Sequence, residues 1–166
     1  MTEPKSRDRG KRLGAVVGVG LFILLSPLIL VGAILYGLSG LVLYVAIWLG
    51  WCLRGRHVLL VYSDSPLWHE YIEKEILPRL EGRAVVLNWS ERKRWKNSLA
   101  VLAFRRFGGW RAFNPLVVVF RPFQFAKVFR FFEPFQEFKH GNSEMVEKMK
   151  TELFEALNVK DHKQTA

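Results

Sequence analysis

The chain has 166 residues, half of them apolar, and a formal net charge of +10. A single cysteine, Cys52, excludes an intrachain disulfide, a cysteine metal cluster and dithiol chemistry. The positive balance favours anionic partners, lipid headgroups or nucleic acid, over cationic ones.

The first twelve residues form a basic tail, with Lys5, Arg7, Arg9, Lys11 and Arg12 against Glu3 and Asp8. Their composition reads as disordered. From Leu13 to Leu53 no residue is charged. A helix of about 41 residues would measure roughly 60 Å, whereas a bilayer's hydrocarbon core is ~30 Å thick. Two spans joined by a tight turn would use that length. Gly32, Gly37, Ser39 and Gly40 mark the turn, with Pro27 as a kink in the first arm. Tyr36, Tyr44, Trp48 and Trp51 suit interfacial positions. A cleaved signal peptide would have a shorter apolar region and a small-residue exit. Here the exit is Trp48, Trp51, Cys52, Leu53 and Arg54. Basic residues flank both sides, including Arg54 and Arg56. A hairpin would place both flanks inside, so the expectation is a multi-pass protein of the cell membrane with both termini cytoplasmic. The expected organisation is a tail at 1–12, a transmembrane hairpin at 13–54, a cytoplasmic domain at 55–158 and a disordered tail at 159–166.

From Arg56 the pattern changes to that of a small α/β domain. His57 to Ser63 reads as a strand buried on both faces. Asp64, Ser65 and Pro66 open a helix that carries Leu67, Trp68, Tyr71, Ile72, Ile76 and Leu80 at helical spacing. Arg83 to Trp89 is a second strand. Ser90 is expected to cap a second helix bearing Trp95, Leu99, Leu102, Ala103 and Phe107, stopped by Gly108-Gly109. Leu116 to Phe120 is a third strand, and Lys127 to Phe132 a fourth, unless that segment is a helix reaching Phe135. Asn142 or Ser143 caps a last helix from Met145 to Leu157.

The order β-α-β-α-β-β-α resembles the thioredoxin fold. The turn Asp64-Ser65-Pro66-Leu67 occupies the place of that fold's active-site turn. Asn114-Pro115 stands just before the third strand, where the fold has a cis-proline. The turn holds no cysteine, so the resemblance implies the scaffold without redox activity. It also implies a partner groove around Pro66, Trp68, Asn114 and Pro115. The alternative fold is a flavodoxin-like, all-parallel sheet with Phe123 to Phe138 as a helix.

Candidate chemistry is sparse. Asp64, Ser65 and His69 lie at the carboxyl end of the first strand, where α/β sheets hold ligands. They read first as helix-start residues and second as a hydrolase corner. No cofactor motif and no metal-binding pair of histidines is present. The stronger feature is a basic cluster, Arg92, Lys93, Arg94, Lys96, Arg105, Arg106 and Arg111, interleaved with Trp95 and Trp110. It reads either as a solvated helix face or as a contact for phosphates. Lipid headgroups are the nearest phosphates, and nucleic acid ranks below them for want of a recognisable module. The expected function is thus a non-enzymatic, membrane-anchored protein. Its domain docks on the anionic leaflet and binds a membrane or cytoplasmic protein partner. A membrane-proximal enzyme is the alternative.

Overall fold

The structure is a computed structural model that describes residues 5–109 and 114–157, with side chains described at 18 and from 20 onward. Arg111, Trp110 and the tail at 159–166 lie outside the described residues.

One helix, α1, runs without interruption over Lys5–Gly50. This corrects the expected hairpin: Gly32, Gly37, Ser39 and Gly40 are all helical. An isolated glycine in a helix costs only ~1 kcal/mol against alanine, and the surrounding Leu, Ile, Val and Ala continue the helix. Ser39 donates to the Tyr36 carbonyl at 2.8 Å, a bond made inside the helix rather than in a turn. The part of the tail from Lys5 onward is also helical instead of disordered. Lys and Arg are good helix formers, and no proline separates Lys5 to Arg12 from the apolar run.

The chain divides into two compact units, Met1–Val42 and Leu43–Ala166. From Gly20 to Val42 every residue but Gly40 is exposed. This run of 23 residues measures roughly 34 Å, close to one hydrocarbon core. The length that called for two spans is thus divided differently. Leu43 to Gly50, the end of α1, belongs to the second unit and serves as one of its core helices.

Within the second unit, α1 ends in a short 3₁₀ turn, Cys52–Arg54, closed by Gly55 at φ 76°. Strand β1 (Val58–Tyr62) follows and is buried throughout. Helix α2 (His69–Tyr71) continues as a π-helical stretch, Ile72–Ile76, and a 3₁₀ turn, Pro78–Leu80. Strand β2 (Ala84–Asn88) leads into a 3₁₀ helix, Trp89–Arg94. Then come α3 (Leu99–Phe107), β3 (Leu116–Val119), β4 (Lys127–Arg130), α4 (Phe132–Lys139) and α5 (Glu144–Ala156).

The sheet order is β2-β1-β3-β4. β1 and β2 are parallel, with Leu60 opposite Val86. β3 is antiparallel to both β1 and β4. A mixed sheet excludes the all-parallel alternative. Alternate residues of the central strands feed two cores. Val58, Leu60, Tyr62, Val117 and Val119 pack with residues of the 68–80 helical segment, α4 and α5. Leu59, Val61, Leu116, Val118 and Phe120 pack with α3 and Ile47 of α1. The unit is therefore a three-layer α/β/α sandwich.

Several local expectations need correction. Ser65 does not cap α2 through its side chain. Its carbonyl instead accepts from Trp68 N and His69 N at 3.2 and 2.9 Å. Ser90 does not cap α3 either. Asn88 caps the intervening 3₁₀ helix, and Ser98 caps α3, accepting from Val101 N. The fourth strand stops at Arg130, and Phe132 already begins α4. Pro134 sits in the first turn of α4, where its missing N–H has no helical partner to lose.

Candidate functional site

Two regions compete as sites, one at each end of the sheet. The first is the carboxyl end of β1. His69 Nδ1 lies 4.0 Å from Asp64 Oδ1 and makes no hydrogen bond. His69 Nε2 lies 3.5 Å from Glu73, and its ring stacks on Tyr62 at 5.8 Å. The recorded bond between Ser65 and His69 is a backbone one. Asp64 is engaged elsewhere, since Asn88 Nδ2 donates to its Oδ1 at 2.8 Å. Its backbone N–H donates to Ser90 Oγ at 3.1 Å. These contacts close the loops after β1 and β2 onto each other. They do not align a hydroxyl, an imidazole and a carboxylate.

The groove residues are equally occupied. Trp68, Asn114 and Pro115 are buried, and Pro66 alone is exposed. Trp68 Nε1 donates to Ser63 Oγ at 3.2 Å, and Ser63 donates to Asn114 Oδ1 at 2.9 Å. The Asn114–Pro115 peptide bond is cis. Trp68 also packs against Phe132 and Phe135, with centroids 6.1 Å from each. Its indole is thus engaged with Ser63, Phe132 and Phe135.

The basic cluster divides in two. Arg92, Lys93 and Arg94 sit on the 3₁₀ helix, with Lys96 just after it, and all four are exposed. Arg105 and Arg106 lie in the last turn of α3, exposed and half-buried respectively. The 3₁₀ helix begins beside Asn88, which pairs with Tyr62 at the end of β1. The end of α3 lies at the opposite end of the sheet. There Phe107 meets Phe120 at 5.3 Å and Tyr44 at 6.4 Å, and Phe120 N bonds His57 O at the start of β1. Trp95 is not part of a surface platform. It packs on Trp89 and Phe104 at 5.7 and 5.6 Å and donates to Asn88 O at 3.0 Å.

The second region is the loop from β3 to β4 at that opposite end. The Tyr44 hydroxyl of α1 donates its one proton in a bond shared between Arg121 O and Gln124 O. Phe123 lies 5.6 Å from Trp48, ring to ring. Residues 122–125 are exposed. The count of phenylalanines between 120 and 138 hinted at unburied rings. Phe120, Phe129, Phe131 and Phe135 are core, and the remainder are not.

One polar cluster escaped sequence reading. Lys150, 6% exposed, lies 2.6 Å from Glu147 and 3.5 Å from Glu75. Tyr71 donates to Glu147 at 2.7 Å. Burial and that carboxylate push the Tyr71 hydroxyl pKa well up. The cluster borders an open cavity of about 590 Å³ that also touches Pro66, Leu67 and Phe138, but not Asp64, Ser65 or His69. Lys150 reads in sequence as an ordinary polar-face residue of α5. Only the packing of α5 on the 68–80 segment reveals it. Among the described residues, no group of three or more His, Cys, Asp or Glu side chains is placed to hold a metal.

No known protein family, curated protein or solved structure matches the chain.

Proposed function

We propose that this chain is a single-span, membrane-anchored, non-enzymatic protein. Its thioredoxin-like domain stands on the bilayer surface without dithiol chemistry, contacts anionic headgroups and holds a protein partner. The observation that carries this reading is the division of α1. A stretch of lipid-core length is exposed and apolar, and the same helix continues into the domain's own core at Ile47. A water-soluble protein would not leave so long an apolar run uncovered. The βαβ unit, the antiparallel β3–β4 pair and Pro115 directly before β3 support the scaffold resemblance.

One crossing separates the two flanks. The N-terminal flank carries Lys5, Arg7, Arg9, Lys11 and Arg12, and the near C-terminal flank carries Arg54 and Arg56. The richer flank stays inside. By that rule we place the N-terminus in the cytoplasm and the domain at the opposite leaflet, so the headgroup contact proposed is with anionic lipid of that leaflet; both ends inside would need a second crossing. Arg105 and Arg106 suit headgroup contact because α3 ends beside Tyr44. Arg92, Lys93, Arg94 and Lys96, from the far end of the sheet, suit an acidic protein partner. Nucleic acid ranks lower, since Trp95, which would stack on a base, packs against Trp89 and Phe104 instead.

The test is amide exchange of the full chain in nanodiscs of neutral or anionic lipid. The last turn of α3 should exchange more slowly in anionic discs, and Arg105→Glu with Arg106→Glu should remove the difference. High salt should weaken it, because screening acts within ~8 Å at physiological ionic strength. Equal protection in both lipids would refute headgroup contact.

A further inference from the structure

We infer that the β3–β4 loop is a second membrane contact, with Phe123 and Phe125 inserted at the boundary between headgroups and acyl chains. The inference rests on the single-span reading above. Phe123 is 92% exposed and Phe125 fully exposed. An isolated exposed apolar residue needs no explanation, but two large rings at the tip of one loop do. Phe123 holds φ at 59°, in the left-handed region that bulky residues avoid. A loop with no role for that ring would be expected to place glycine or asparagine there.

The loop's position gives the rings their partner. The Tyr44 hydroxyl is bonded to two carbonyls of the loop, Arg121 and Gln124. Trp48 lies against Phe123. Tyr44 comes two residues after Val42, the last residue of the exposed apolar run. At ~1.5 Å per residue that is about 3 Å along the helix. The loop is therefore tied to α1 at the level where the acyl region ends. Aromatic rings favour that level of a bilayer. Arg121 and Lys127 bracket the loop and place cations within reach of phosphates. A protein partner would have to reach rings held at the bilayer edge. The bilayer itself, continuous with the surface that α1 occupies, is the occupant that fits.

The test uses the full chain with Cys52→Ser, reconstituted in vesicles, with single cysteines carrying an environment-sensitive dye at Phe125, at Leu30 of α1 and at Glu133 of α4. Nitroxide lipids report depth and iodide reports water. The dye at 125 should be quenched by nitroxides near the headgroup at least twofold more than the dye at 133, and it should resist iodide. A dye at 30 quenched by lipid while that at 125 is open to iodide would overturn the inference and leave the span intact. A dye at 125 shielded from both quenchers would also overturn it, showing a protein or a second copy on the loop. Failure of lipid quenching at 30 would overturn the span itself, and the inference with it.

Discussion

Replacing Ile47 with alanine tests whether a residue of α1 is a core residue of the domain. Ile47 is 1% exposed and packs in the cluster of Leu59, Val61, Phe104, Leu116 and Phe120. The substitution removes three carbons, each contributing ~0.8 kcal/mol when buried. The cavity adds to that, giving a loss of ~2–5 kcal/mol. Domains of this size have only ~5–15 kcal/mol of stability. The assay is urea unfolding of the full chain in mild detergent, followed by tryptophan fluorescence. Leu35→Ala, at an exposed position of the apolar run, is the control and should change stability by less than ~0.5 kcal/mol. The same reasoning extends to truncation. A fragment beginning at Leu43 should fold, whereas one beginning at Arg56 leaves the α1-facing side of Leu59, Val61 and Phe120 uncovered and should melt far lower. Equal midpoints for Ile47→Ala and the parent, or equal melting of the two fragments, would show that α1 only tethers the domain.

Ile76→Asp should unfold the domain, because a carboxylate would replace a side chain with no solvent exposure and no cationic partner; retention of the parent near-UV circular dichroism would contradict this. Lys150→Ala should cost roughly 1–3 kcal/mol, less than a fully buried pair because Glu147 is largely exposed. Lys150→Met should cost less, since its stem still packs near Tyr71; a reversed order by chemical denaturation would remove the stem packing from the account, and no loss in either variant would remove the ion pairs. His57 is held below its ordinary pKa of 6.5, first by burial and then by Arg83, with Arg121 adding to the effect. A depressed folded value means that the neutral form is favoured by folding. Its contribution is present above about pH 6.5 and is lost as pH falls below it. The fall in urea midpoint from pH 7.5 to 5.0 should therefore be smaller in His57→Gln than in the parent; equal falls would exclude His57 as the cause.

Much of the sheet was legible because its signals are local. Continuous apolar runs bounded by turn residues located β1 and β3, and helical spacing located Ile72 and Ile76 on a buried face. The hairpin was misread because hydropathy reports length, not what covers a residue. Leu43, Tyr44 and Ile47 look like membrane residues, and only the sheet's second face shows that the domain needs them. The caps failed by a similar route. Ser90 alone reads as the cap from sequence, but Ser90 Oγ accepts from Asp64 N at the end of the neighbouring strand, and Ser98 caps α3. The basic cluster looked like one patch because its residues are close in sequence. A 3₁₀ helix and a separate α-helix lie between its first and last members, and they divide it between two ends of the fold.

The carboxyl edge of an α/β sheet is where ligands are usually held, because loops there end with free polar groups. In this chain several of those groups are used on one another, although His69 Nδ1 makes no hydrogen bond. Ser63 accepts from Trp68 and donates to Asn114, tying the start of the helical segment to the approach of β3. Asp64 accepts from Asn88 and, through its backbone, donates to Ser90, tying β1 to the exit of β2. A substrate entering this edge would have to break such bonds and leave polar atoms unsatisfied, at ~1–3 kcal/mol for each buried one. The opposite end shows the reverse arrangement. Its backbone carbonyls are fixed by Tyr44, while its apolar rings at Phe123 and Phe125 are left uncovered. Polar side chains are largely paired at one end of the sheet, and apolar rings are uncovered at the other. That contrast is the physical ground on which the proposed reading puts the working surface beside α1 rather than at the carboxyl edge.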